Sequence, residues 1–215
     1  MNYNFKIISI IFPIVAVVIF TFWYQWSARA LLPFEVETYM QLIEAQTKNT
    51  NSKHDLPALR KFLNEDDGKP IYTVNMYNFN DTANYPANSG FDGSGEQAYD
   101  RFSQAMVKLM IKRGSHPIFG SDWHDQSSSN WERIVIVRYR SRRDLVDLFA
   151  TPEFADASLH KWASIKDHER MLVKATHVPS AILIIALITQ IFWALMLIAN
   201  HLWFRSKSLA QTNKR

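Results

Sequence analysis

Four side chains in the middle of this chain have the types and settings that chemistry needs: Asn75, Tyr77, Arg138 and His160. Asn75 shares a face with Thr73 and Tyr77, because side chains alternate across a strand and Ile71 to Phe79 has the β-branched and aromatic make-up of one. A strand-centred amide is costly to bury unless bonded, so Asn75 either ties the sheet to a neighbouring loop or presents its amide to a ligand. Arg138 follows Ile134 and Ile136 on one face of a second strand-like run, where a guanidinium suits a carboxylate or enolate held by two hydrogen bonds. Its structural alternative is a salt bridge at a strand end, with Glu132 or Asp167. His160 lies in a helical run, and its ordinary pKa near neutrality suits a proton shuttle or simply a surface histidine.

Other constellations are missing. His116, His124, His168 and His177 do not form a His-x-x-x-His or His-Glu-x-x-His pair. His116 and His124 would lie about 26 Å apart along a strand at about 3.3 Å per residue, so no metal is expected. Gly90-x-x-Gly93-x-Gly95 follows a Pro/Asn-rich loop rather than a strand, and its glycines read as loop flexibility. Ser127-Ser128-Ser129 reads as a hairpin connection. The chain has no cysteine, which excludes disulfides, thiolate catalysis and Cys-ligated clusters, and no cofactor is expected.

The elements that must position these residues lie between two long apolar runs, Ile7 to Trp26 and Ser180 to Phe204. All twenty acidic residues fall between them. Roughly twenty apolar residues cross a bilayer core about 30 Å thick, and aromatic residues close each run, so both are expected to span a membrane. Pro13 inside the first is tolerable in lipid and predicts a kink. A cleaved signal ending at Ala28-Arg29-Ala30 is the alternative for the first run. Lys6 at one end and Arg205, Lys207, Lys214 and Arg215 at the other make both termini cytoplasmic and the intervening domain periplasmic or extracytoplasmic, at an inner or plasma membrane. Those five cations account for the net charge of +4, and the domain itself is near neutral, which removes most support for nucleic-acid binding.

The expected organisation is an anchor over 1–28, a helical connector over 29–68, a folded domain over 69–178, a second transmembrane helix over 179–204 and a basic tail over 205–215. In the connector, Val36, Tyr39, Met40 and Ile43 have helical spacing, and Asp55 caps a second helix carrying Leu56, Leu59, Phe62 and Leu63. Beyond the first strand, the patterning predicts a helix over Glu96 to Arg113, strands over Pro117 to Trp123 and Trp131 to Arg140, a helix over Arg142 to Ile165 interrupted near Pro152, and a last strand over His168 to Thr176. The order βαββαβ is that of an α+β, ferredoxin-like domain, two helices covering one face of a four-stranded antiparallel sheet. The other face is too large to leave bare, so a homodimer is expected.

Several blocks resemble a widespread bacterial family of uncharacterised domains in the dimeric α/β-barrel superfamily. They are Asn75-Met76-Tyr77-Asn78-Phe79, Gly95-Glu96-x-x-Tyr99, Trp131-Glu132-Arg133 leading into Arg138-Tyr139-Arg140-Ser141-Arg142, then Pro152-Glu153-Phe154 and His160. The resemblance covers Leu56 to Lys174 and implies the fold, dimerisation and a pocket between sheet and helices. In the wider superfamily that pocket serves cofactor-free oxidation of aromatics, lactone isomerisation or haem binding. Arg140 departs from the pattern, which has proline before the Ser-Arg pair. Two readings follow: a membrane-anchored dimeric barrel that binds a small molecule or protein partner without turnover, and a cofactor-free monooxygenase- or isomerase-like enzyme acting on a small aromatic or carboxylated compound. Asn75, Tyr77, Arg138 and His160 are the ligand-binding candidates in either.

Overall fold

The structure, a computed structural model, describes residues 3–25, 29–49, 55–122, 131–175 and 181–212. In chain order its elements are α1 (Tyr3–Gln25), α2 (Pro33–Asn49), α3 (Leu56–Asn64), β1 (Ile71–Phe79), α4 (Gly95–Ile111), β2 (His116–Asp122), β3 (Arg133–Tyr139), α5 (Arg142–Phe149), α6 (Pro152–Ser164), β4 (Ile165–Val173) and α7 (Ala181–Thr212). They fall into two compact units, Met1–Trp26 with His177–Arg215, and Ser27–Thr176.

The first unit is a helix pair, with the rings of Phe12 and Phe192 6.5 Å apart. Ile182–Ser206 of α7 is 25 residues long with a mean hydropathy of 2.6, and none of its most apolar stretch is buried. At about 1.5 Å per residue it exceeds a hydrocarbon core about 30 Å thick. The expectation for the first run is met only in part, because its described apolar stretch, Ile11–Gln25, falls below spanning length. Among the described residues, one helix is long and apolar enough to cross a membrane. Pro13 lies within the continuous α1.

The second unit is an α+β domain whose antiparallel sheet runs β2-β3-β1-β4. β1 lies between β3 and β4, with Asn75 opposite Val135 on one side and Arg170 on the other. The order β1-α4-β2-β3-α5-α6-β4 is the ferredoxin-like βαββαβ unit with its second helix divided. The division follows from local chemistry: Thr151 accepts the Phe154 amide as an N-cap and Pro152 can only begin a helix. Ser94 and Gln97 form a reciprocal capping box at the start of α4.

Phe102, Met106, Leu109 and Met110 of α4 are buried with Tyr77, Phe79, Val137 and Tyr139 of the sheet and Phe154 of α6. Val36, Met40 and Ile43 of α2 and Leu63 of α3 belong to the same core, so the two helices read from sequence as a connector are packed into the domain. A hydrogen-bonded cluster secures them, since Glu35 accepts from Arg29 and from both terminal nitrogens of Arg143.

β4 begins at Ile165, three residues before the strand expected from sequence, because Ser164 passes from α6 directly into extended backbone at Ile165. The close of β2 beyond Asp122 and the Ser127–Ser129 connection lie outside the described residues.

Candidate functional site

Between the sheet and α4 and α6 lies a cavity of about 550 Å³. Its floor is the helix-facing side of the sheet: Thr73, Asn75 and Tyr77 of β1, Val135, Val137 and Tyr139 of β3, and His168 and Arg170 of β4. The two-residue period and the antiparallel register put these side chains on one face. Its roof comes from Tyr99, Phe102 and Met106 of α4 and from Lys161 and Trp162 of α6.

The polar groups on the floor are tightly bonded. The Asn75 amide donates to Thr73 Oγ1 at 3.0 Å and to the Val135 carbonyl at 3.2 Å. The Val135 carbonyl, which can only accept, fixes which end of the amide is nitrogen, so its oxygen accepts from His168 Nε2 at 3.3 Å. The neutral ring therefore carries its proton on Nε2 and leaves Nδ1 as an acceptor. It stacks on Tyr77 with centroids 4.7 Å apart and planes 3° from parallel. Burial, then the nearby charges of Lys161 and Arg170, push the His168 pKa down to about 3.

Lys161 is the unusual group. It is 9% exposed, on the same helical stripe as Phe154, Ala157 and Ser158. Its Nζ sits 5.0 Å from the ring centre of Trp162, 5.7 Å from Phe102 and 6.0 Å from Tyr77. Among the described residues no carboxylate pairs with it, and π-faces are its neighbours. Burial, reinforced by Arg170, lowers its pKa to about 7. The Trp162 indole N–H beside it is buried without a hydrogen-bond acceptor among the described residues. Desolvation raises the tyrosines: Tyr77 goes well above its ordinary value, and Tyr99 is pushed up to about 12.

Arg133 marks another part of the wall. Its Nε donates to Asp122 at 2.6 Å and its Nη1 to Asp100 at 3.4 Å, while the guanidinium lies over Phe79 and Tyr99. The interior beyond that ion cluster is aromatic and cationic, a setting for an anion with a flat apolar body.

Of the four residues singled out from sequence, Asn75 and Tyr77 line the cavity. Arg138 does not: it lies on the opposite face of β3, is 2% exposed, and donates from Nη1 to the Gly114 carbonyl at 3.2 Å. Glu132, a sequence-level partner for it, accepts from the Phe79 amide. His160 also lies away from the cavity lining, with Nδ1 2.8 Å from the Tyr85 hydroxyl and its ring edge-on to Phe91. Burial and Arg101 lower its pKa. Sequence reasoning missed Lys161, Trp162, His168 and Arg170 as a group. A signal for Lys161 existed, because it falls on the apolar stripe of its helix.

Among the described residues no group of three or more His, Asp or Glu side chains converges as a metal site. No family model matches the chain. No curated protein matches it either. Among solved structures, the RPA0582 protein of Rhodopseudomonas palustris, of unknown function, is similar: TM-score 0.51, 18% identity, covering 60% of this chain and 98% of its own. Its methylated form gives TM-score 0.51 at 19% identity over 60% and 96%. SnoaB, a cofactor-independent oxygenase from Streptomyces nogalater, gives TM-score 0.37 at 11% identity over 52% of this chain and 98% of its own. At that TM-score the SnoaB likeness carries no argument, and the RPA0582 likeness is one of fold: a ferredoxin-like α+β domain fits this chain.

Proposed function

We propose that this chain is a membrane-anchored, extracytoplasmic homodimer that binds a small aromatic acid in the cavity between sheet and helices. One observation carries the reading: a buried lysine, without a carboxylate partner among the described residues, faces a cavity walled by aromatic rings. A buried cation is costly without an anion, and a ligand carboxylate or phenolate supplies one. Arg170 lines the same cavity and provides a second, permanent cation.

The dimer is supported by the part of the opposite sheet face that stays open to solvent. Phe119, Ile136, Val74 and Met171 form one apolar row across all four strands, with Phe119 49% and Met171 42% exposed. A second copy laid on this row removes it from water. The length of α7 supports the anchor, and the cations beyond both apolar runs support cytoplasmic termini.

The test is binding of 3-phenylpropionate and its uncharged amide to the full chain in detergent, read by thermal shift. The acid is expected to raise the melting temperature, the amide to do so far less, and Arg170→Ala to remove the difference. Equal shifts by both compounds would sink the reading. Light scattering on residues 27–176 tests the dimer: twice the monomer mass is expected, reverting to one with Ile136→Lys.

Turnover is the second reading, and His168 favours it. Held neutral, it is the one imidazole on the cavity wall among the described residues, and its Nδ1 can accept a hydrogen bond that orients a substrate N–H or O–H for a cofactor-free reaction.

A further inference from the structure

Lys161 is placed for more than charge. A lysine on the buried stripe of a helix could have been an arginine if a fixed cation were all the site required, and Arg170 already provides that. Of the charged and titratable groups that share the cavity wall with Nζ, Asp100 and Asp122 are held by Arg133, and among the described residues no carboxylate pairs with the ammonium. Tyr77 from β1 and Tyr99 from α4 stay protonated, His168 from β4 stays neutral, and Arg170 from β4 repels it. The ring centres of Trp162, Phe102 and Tyr77 stand 5.0, 5.7 and 6.0 Å from Nζ. An amine so placed has a free-base population at neutral pH, and the open volume of the cavity lies in front of it.

We propose that Lys161 is a covalent amine site that condenses with the carbonyl of an aromatic oxo-acid, whose carboxylate is held by Arg170. The proposal rests on the reading of the cavity as a site for an aromatic acid and adds a bond to it. The Nζ lone pair attacks the carbonyl carbon and the oxygen gains a proton, giving a carbinolamine. Loss of that hydroxyl with a second proton releases one water and leaves a C=N bond between Lys161 and the ligand. No oxidant or reductant is consumed. Both protons of the departing water come from the Nζ amine, and the Tyr77 and Tyr99 hydroxyls on the cavity wall supply hydrogen bonds to the oxygen as it leaves.

The experiment incubates the full chain in detergent with phenylpyruvate and cyanoborohydride at pH 7, followed by intact mass and peptide mapping. One adduct is expected, of the ligand's mass less one oxygen atom, on the peptide containing Lys161. Lys161→Arg and Lys161→Met are expected to abolish it, and circular dichroism of both checks that the fold persists. 3-Phenylpropionate, which has no carbonyl, is expected to compete with labelling. If that acid binds while Lys161 stays unlabelled, the covalent proposal falls and the binding reading stands. If neither compound binds, both fall. Labelling spread over exposed lysines and unaffected by the Lys161 variants also overturns the proposal.

Discussion

Asn75 and His168 are locked into one protonation arrangement, with Asn75 Oδ1 3.3 Å from His168 Nε2 and the Asn75 amide nitrogen committed to Thr73 and Val135. An imidazolium there would still need solvation at Nδ1, in a place where burial and two cations oppose it. Long-range proton–nitrogen NMR of His168 should show the Nε2–H tautomer at pH 7 and no imidazolium at pH 5. The folded pKa of about 3 lies below the unfolded value near 6.5, so the unfolded chain binds the extra proton first. His168 therefore makes stability fall as pH drops from about 6.5 to about 3, and His168→Phe should flatten that part of the profile. Asn75→Ala should cost about 1–3 kcal/mol and let both tautomers appear.

A second pH effect has the opposite origin. Glu35 is held down to about 2, first by its hydrogen bonds from Arg143, then by the Leu32 amide, with Arg29 adding less. Its stabilisation is complete above the unfolded value near 4.5 and is lost as pH falls through about 2. The Arg143 partner matters more than the exposed Arg29, whose contribution solvent screens. Glu35→Gln should lower stability by about 1–2 kcal/mol at pH 7 and by nothing at pH 1.5, measured by thermal unfolding of the full chain. An equal difference at both pH values would mean the carboxylate charge is not what binds α2 to α5.

Much of the fold was legible in the sequence because it is written in short-range periodicity. Tyr99, Phe102, Met106, Leu109 and Met110 are read as the buried stripe of a helix and are buried. Ile71 to Phe79 is read as a strand with these limits, and Pro152 marks the break between α5 and α6. The site was legible only on the strand where alternation is clean, which gave Asn75 and Tyr77. Arg138 obeys the same alternation and so faces away from them. His168 and Arg170 escaped because α6 runs into β4 with no loop, which disguised the start of the strand and hid which residues share its inner face. Lys161 escaped because a lysine beside other cations reads as a solvated face unless its place on the apolar stripe is weighed first.

Gly95, whose sequence setting reads as loop flexibility, is a point of close approach. A Cβ there would stand 2.3 Å from the Asn80 carbonyl oxygen and 2.6 Å from that of Ser164, both backbone atoms. The same spot is where Gly95 N–H donates to Asn80 and Asn80 N–H donates to Ser164, joining the end of β1, the start of α4 and the α6–β4 junction. Neither carbonyl can retreat without breaking those bonds. Gly95→Ala should destabilise the domain by about 1–3 kcal/mol, whereas Gly90→Ala meets no atom within 4 Å and loses only the cost of its positive φ. Paired thermal melts check this, and a Gly95→Ala variant as stable as the parent would mean the junction relaxes freely.

The burial of Lys161 has a measurable cost even with the cavity empty. Its folded pKa of about 7 lies below the unfolded value near 10.5, so the unfolded chain holds the proton over that interval. Stability should therefore rise as pH goes from about 7 to about 9.5, short of where tyrosines ionise in the unfolded chain. Below pH 7 the cost is fully present. Lys161→Met keeps the length of the stem, places a thioether among the rings of Phe102, Trp162 and Tyr77, and removes the charge. The variant should be more stable than the parent by about 1–4 kcal/mol at pH 7, with the difference shrinking toward pH 9.5. A stabilising replacement at a lining residue is the pattern of a group retained for what it binds rather than for folding. Loss of stability at pH 7 would instead make Lys161 a structural cation, with an anion close enough to repay its burial.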